Sequence, residues 1–446
     1  MRDYIVLAII LGSVPAAFIN PFFGVLMWTW VAYFNPHRFT WGVAYSFPVA
    51  LALAVPTIAG TLFTKQRNRN IITRETVLLL LLWVWFGVTL FHATLVPLLS
   101  MHAADGQDQL ITITKILLMI GFTVLLTNSP QRLRLLLLVT VFSFGALAVK
   151  GAFFGFRTGG DFRVWGPPES FVADNNDLGL AMNIALPLMF FMASQETNRK
   201  IRLLLRGCFI AGVLVVLLTY SRGALLGLTT VLAVIVVKTR RIFLGGALLL
   251  LGGMLVLAYA PERWQDRMDT LVAGKIDQSG QQRLVSWKFA WNVAQAYPLT
   301  GGGMESFAPE MFARYSKEPL PGGALSSGPH SIYFQILGEQ GFVGLCIFLS
   351  LIGACVVSLR KLQKLARQSP FLRWIAPYAN GVEGGFYAFL VSGAFLGRAY
   401  FDLFYQLVAC TIILKILYRN EIRKLLTQPQ EEAPMDSVEM EEVPAY

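Results

Sequence analysis

Apolar runs of about 15 to 25 residues recur from Tyr4 to Leu417, separated by short polar links. A hydrocarbon core about 30 Å thick takes about 20 helical residues per crossing. The pattern predicts spans at 4–34, 47–64, 76–97, 109–127, 134–155, 177–195, 203–221, 223–238, 241–259, 331–358, 376–397 and 401–418. The chain therefore reads as all-α, a polytopic integral membrane protein with about 12 transmembrane helices. The first run is too long for one crossing and is interrupted by Pro15, Asn20 and Pro21, which leaves room for a thirteenth span or a re-entrant hairpin.

Composition agrees with the pattern. Of 446 residues, 55% are hydrophobic and only 14% are charged, against about a quarter in ordinary soluble domains. A water-soluble enzyme is excluded. The net charge is +11, and the acidic stretch from Gln428 to Tyr446 contributes −6, so the remainder carries +17. That excess lies in the links: Lys65 to Arg74, Arg132 and Arg134, Arg199 to Arg206, Lys238 to Arg241, Arg360 to Arg373, and Arg419 to Lys424. All fall on one side when the spans alternate, and the positive-inside rule makes that side cytoplasmic. Charge placed this way orients helices, and nucleic acid is not an expected partner.

The expected organisation is membrane helices with short links over 1–260, one large external loop over 261–330, further membrane helices over 331–418 and a cytoplasmic acidic tail over 419–446. The stretch from Pro261 to Pro329 holds seven basic and seven acidic residues and three tryptophans, with helical spacing around Leu284, Trp287, Phe289, Ala290 and Trp291. It predicts short helices over the outer face, followed by a flexible Pro/Gly stretch from Pro319. The run after Arg2 is read as a retained helix, since no small-residue cleavage site follows it. Cys208, Cys346, Cys355 and Cys410 lie in apolar runs without CxxC spacing and read as core residues. No HExxH, Walker loop or EF-hand pattern occurs, so neither a metal nor a nucleotide cofactor is expected.

His330 stands where the large loop re-enters the membrane, in Pro329-His330-Ser331, ahead of an apolar helix with Gly341 and Gly344. An imidazole at such a rim can take a proton near neutral pH; helix capping is the alternative. His37, His92 and His102 lack patterned neighbours and read as packing or interfacial residues. Arginines on the outer side have no topological use and need another reason. Arg222 occupies the tight turn Tyr220-Ser221-Arg222-Gly223, Arg163 precedes Asp174-Asn175-Asn176-Asp177, a helix-cap sequence, and Arg283 lies in the large loop. Snorkelling explains any one of them, but three guanidinium groups converging on one face would suit a diphosphate. Arg398 and Asp402, at i and i+4, read as a local ion pair. Lys115, Lys150 and Glu383 are ionisable groups within or beside spans and are candidates on that ground.

His330-Ser331, with Gly341 and Gly344 at their spacing, resembles the signature of the bacterial O-antigen ligase family. Tyr220-Ser221-Arg222-Gly223 resembles that family's membrane-border arginine motif. Arg283, with Trp287, Pro298 and Gly301 to Gly303 beyond, looks like its loop arginine. The N-terminal third, including Asn35-Pro36-His37-Arg38, is similar to a subgroup described as O-glycosylation ligases. The resemblance implies a GT-C-like glycosyltransferase in the bacterial inner membrane with its site facing the periplasm. It implies metal-independent, inverting transfer of a glycan from undecaprenyl diphosphate to a sugar hydroxyl of lipid A–core, with membrane lipids around both substrates. Under it His330 serves the acceptor, and Arg222, Arg283 and Arg163 hold the diphosphate. O-antigen polymerases and protein O-oligosaccharyltransferases share the donor and stay open as alternatives. A lipid-linked sugar transporter is the alternative of another class; it predicts repeated halves, and none is visible.

Overall fold

The computed structural model describes residues 1–240 and 278–427, and among these it contains helices and no strands. The predicted span 241–259, the first part of the large loop and the acidic tail lie outside the described residues. Eight of the described helices are long and apolar enough to cross a membrane, and two shorter apolar ones accompany them. The chain is a multi-pass membrane protein.

The first apolar run is two helices, α1 (Arg2–Ile19) and α2 (Pro21–Phe34). They are antiparallel. Asn20 breaks the run, and its side chain caps α2 by accepting from the Phe23 N–H. The carboxylate of Asp3 accepts from the N–H groups of Gly42 and Ala44, beyond the far end of α2. Both helices pack on α3 (Val49–Phe63), where Gly60 lets the Phe18 carbonyl come so near that a Cβ would lie 2.1 Å from it.

The next helices are α4 (Arg74–Leu95), α5 (Ala103–Leu126), α6 (Pro130–Arg157), α7 (Asn175–Gln195), α8 (Arg199–Leu218) and α9 (Arg222–Thr239). Helix α7 is the central post, buried along nearly its whole length. After the undescribed segment come α10 (Gln278–Ala296), α11 (Pro309–Tyr315), α12 (Ile332–Gln368), α13 (Ile375–Gly393) and α14 (Asp402–Thr427). Glycines 381, 384 and 385 of α13 sit against Leu188, Pro187 and the Ile184 carbonyl of α7, so the two backbones nearly touch.

The basic links gather at one end, as the charge pattern predicts. There Arg132 donates to Gln66, Arg134 pairs with Glu196, and Arg419 donates to the Ile72 carbonyl. Glu383 belongs to this end as well: Lys238, Arg360, Gln363 and Tyr387 all donate to its carboxylate, which makes it a structural junction. Lys150 lies 3.8 Å from the Phe39 ring centroid, and Lys115 is exposed on α5.

The opposite end carries α10, α11 and the segment between them. Phe289 stacks on Phe312 at 3.9 Å, and Val285, Val293, Met311 and Leu320 complete a small core above Ala93 and Leu99. Sequence spacing anticipates α10. This layer is tied to the membrane helices by backbone. Helix α12 is broken at Gly341, whose φ of 68° and ψ of −173° are accessible essentially to glycine alone. Such a break orphans backbone groups inside the protein, where each needs a partner. The Gly338 and Glu339 carbonyls accept from the N–H groups of Gly302 (2.8 Å) and Gly303 (3.0 Å), and Phe342 donates to the Pro298 carbonyl at 2.9 Å. The Gln340 carbonyl accepts from the Trp85 indole N–H at 3.0 Å. His102 adds a 2.9 Å bond to the Gly302 carbonyl, and His92 meets Thr300 at 3.1 Å.

A Cβ on Gly341 would fall 2.3 Å from the Leu299 carbonyl oxygen. Gly341→Ala is expected to destabilise the protein by about 2–3 kcal/mol through the forbidden backbone region alone. It should also expose the 297–303 segment to protease. Thermal unfolding and limited proteolysis of the purified variant check this, and an unchanged melting temperature would refute the clash.

Candidate active site

Arg222 is the first residue of α9, and the turn before it is held from several directions. Helix α8 ends at Leu218, Tyr220 takes a left-handed conformation with φ of 53°, and the Ser221 hydroxyl caps α9 by accepting from the Ala224 N–H at 3.2 Å. Two buried amides of α7 fix the same backbone. Asn175 donates to the Thr219 carbonyl and Asn183 to the Ala224 carbonyl, each at 2.7 Å. The segment with Arg163 lies against this turn: Val164 donates to the Leu218 carbonyl at 3.0 Å, and the Tyr220 hydroxyl donates to the Gly160 carbonyl. Asp174 caps α7 as expected, accepting from the Asn176 N–H.

His330 sits in the chain entering α12, itself left-handed with φ of 47°. It is half-buried. Burial first, and the charge of Arg283 second, push its imidazole below the ordinary histidine value of 6.5. The histidine is therefore neutral at pH 7 and free to accept a proton. Arg283, on the second turn of α10, is near enough for its charge to act on that ring.

The link between α13 and α14, residues 394–401, joins the two groups. Phe395 lies against Gly223, where a Cβ would be 3.1 Å away, and Gly397 lies against Pro329 and the His330 backbone, where a Cβ would fall 2.6 Å from the proline ring and 3.3 Å from the His330 nitrogen. The link is anchored on both sides. Ala399 donates to the Gln335 side chain at 2.9 Å, and Arg398 grips the Asp177 carboxylate with Nε at 2.7 Å and with Nη2. Arg398 thus pairs across the bundle with Asp177, in correction of the local Arg398–Asp402 pair that spacing suggested. The Asp177 carboxylate is buried and needs a full counter-charge, and that attraction outweighs a local helical pair.

The charge of Arg283 thus acts on His330, the 394–401 link joins the His330 segment to the Arg222 turn, and the Arg163 segment lies against that same turn. Arg163, Arg222, Arg283 and His330 are each partly exposed at the end opposite the basic links. Guanidinium groups beside a neutral imidazole can stabilise developing negative charge while a proton is removed nearby.

Residues 207–349 match the family model described as O-antigen ligase. That segment, about a third of the chain, is an O-antigen ligase domain. The matched segment contains Arg222, Arg283, His330, Gly341 and Gly344. Residues 1–197 match a family of unknown function (DUF5935), which takes in Arg163 and Asp177. No curated protein matches the chain.

The support beneath the candidate site is not apparent from motif spacing. Tyr400 donates to Glu339 at 2.5 Å, Gln340 donates to Tyr400 at 3.0 Å, and Thr89 donates to Gln340 at 2.5 Å, all buried under the His330 entry. The signal was present, since Glu339-Gln340 is a polar pair inside an apolar helix. Among the described residues no cluster of ligating side chains suited to a metal occurs.

Arg398→Ala strands the buried Asp177 carboxylate and is expected to cost about 3 kcal/mol. Arg398→Ala combined with Asp177→Asn should recover much of that loss. A double-mutant cycle on thermal stability measures the coupling, and additive losses would show that the pair does not hold the link.

Proposed function

We propose that the chain is an O-antigen ligase. It transfers a glycan from undecaprenyl diphosphate to a sugar hydroxyl of lipid A–core, at the periplasmic face of the bacterial inner membrane. The observation that carries this reading is the O-antigen ligase domain over 207–349, which takes in Arg222, Arg283 and His330; the charge of Arg283 acting on the half-buried His330 imidazole supports it. The site's position opposite the basic links supports the orientation.

His330 takes the proton from the acceptor hydroxyl. The oxygen then attacks the anomeric carbon from the face opposite the diphosphate, and the carbon–oxygen bond to phosphate breaks with its electron pair going to the leaving group. Attack from that face inverts the anomeric centre. Arg222 and Arg283 stabilise the charge that develops on the diphosphate, with Arg163 the third cation, supported by the contact of its segment with the Arg222 turn. Fixed guanidinium groups supply this stabilisation without a metal. Both substrates are amphipathic lipids, and a site open at the membrane surface receives them from the outer leaflet. A polymerase or a protein O-oligosaccharyltransferase would use the same donor end and differ in the acceptor.

His330→Ala, Arg222→Ala and Arg283→Ala should fold and yet lose glycan addition to lipid A–core, with proton transfer alone contributing about 10²–10⁴-fold. Gel ladders and carrier-linked polymer are the readout. Loss of the ladder with polymer accumulating on the carrier supports a ligase, and wild-type rates from a folded His330→Ala variant would remove the catalytic assignment. Single-repeat products would point to the polymerase, and unglycosylated protein with unchanged lipopolysaccharide to the protein ligase.

Because the reactive form of His330 is neutral and its pKa is depressed, activity should persist as pH falls and be lost only below 6.5. In Arg283→Gln the residual activity should fail at higher pH, since a cation opposing protonation has gone. A limb that stays in place, or moves down, contradicts the pairing. Chelation should leave the rate unchanged; abolition by EDTA with rescue by one divalent ion would contradict a metal-independent reaction.

A further inference from the structure

A groove of about 430 Å³ runs along the outer side of α10, between that helix and the 316–318 segment. Its volume lies within the range of small-ligand sites. Leu284, Trp287 and Trp291 form one stripe of α10 facing it, and Phe334 closes its floor. Trp287 stacks on Phe334 with ring centroids 5.2 Å apart and planes 11° from parallel. The rim is polar. Lys288 and Glu318 pair across it at 2.6 Å, while Lys317 makes no ion pair among the described residues.

We infer that this groove binds a saccharide, with indole faces against its C–H surfaces and rim groups on its hydroxyls; the inference rests on the ligase reading above. Three observations carry it. Flat aromatic faces under a hydrogen-bonding rim match a pyranose, which has an apolar face and a polar circumference, better than they match an acyl chain. The buried Trp287 N–H has no acceptor among the described residues, an unmet donor that a hydroxyl would satisfy. The groove also adjoins the site on both walls: Trp287 is one turn beyond Arg283 on α10, and Phe334 follows His330 by four residues. Lys317 at the rim favours a sugar bearing carboxylate or phosphate. Two sources share this chemistry, the acceptor oligosaccharide and the glycan of the donor.

Saturation-transfer NMR on the full-length protein in lipid nanodiscs tests the inference. The probes are core oligosaccharide freed from lipid A by mild acid and a soluble O-chain fragment, and the probe that receives saturation at its ring protons identifies the source. Trp287→Phe keeps an aromatic ring against Phe334 while removing the N–H and part of the indole face, and Trp291→Leu keeps an apolar side chain at an exposed position. Each is expected to weaken saccharide binding about tenfold. Each should raise KM for the substrate carrying that saccharide by a similar factor, with kcat within about twofold. Lys317→Glu should lower affinity for an anionic fragment and spare a neutral one. If neither tryptophan variant, folded as judged by its melting temperature, changes binding or KM, the saccharide groove is refuted. Wild-type binding without any transfer to lipid A–core would sink the ligase reading and leave the groove standing; transfer with no binding of either probe would do the reverse.

Discussion

The architecture turns on one interruption of a membrane helix. At Gly341 the backbone leaves helical geometry, and the groups freed by that break are satisfied by the 298–303 segment and by Trp85. Since unpaired amide groups are intolerable in a low-dielectric interior, the segment is held as firmly as a strand in a sheet. Everything on the loop side inherits its position from this fastening: α10 and with it Arg283, and the start of α12 and with it His330. The glycines are there for geometry, Gly341 for its torsion angles and Gly301 because its neighbour's backbone leaves no room for a side chain.

A second constraint fixes the other half of the site. The Arg222 turn is determined by amide side chains from α7 and by the left-handed Tyr220, and the 394–401 link carries that placement across to His330. The two constraints are of different kinds. One is chiefly main chain to main chain and asks for glycine where the two backbones meet; the other depends on Asn175, Asn183, Asp177 and Arg398, each a specific polar group in a buried setting.

That difference explains what could be read from the amino-acid sequence. Helical class and the side on which basic residues collect follow from hydropathy and charge, which are local properties. His330, Arg222 and Arg283 stood out because a cation or imidazole at the wrong end of a span has no topological excuse. The hairpin of α1 and α2 was only half legible: Asn20-Pro21 announces a break, but run length cannot say whether the chain turns back. Spacing offers Arg398 the nearby Asp402, whereas its actual partner, Asp177, lies 221 residues away. Glu339 and Gln340 were legible in principle, as polarity within an apolar helix, and their link to Tyr400 was not, because no spacing rule joins two separate helices.

The placement of Asp177 bears on how such a protein can be divided. The segment matching the O-antigen ligase family ends well before Arg398, and Asp177 lies in the region matching a family of unknown function. A clamp whose two jaws fall outside the recognised module ties that module's fate to both flanks. Grafting only the middle segment into another scaffold would deliver Arg222, Arg283 and His330 without the Asp177–Arg398 clamp that anchors the link beside them.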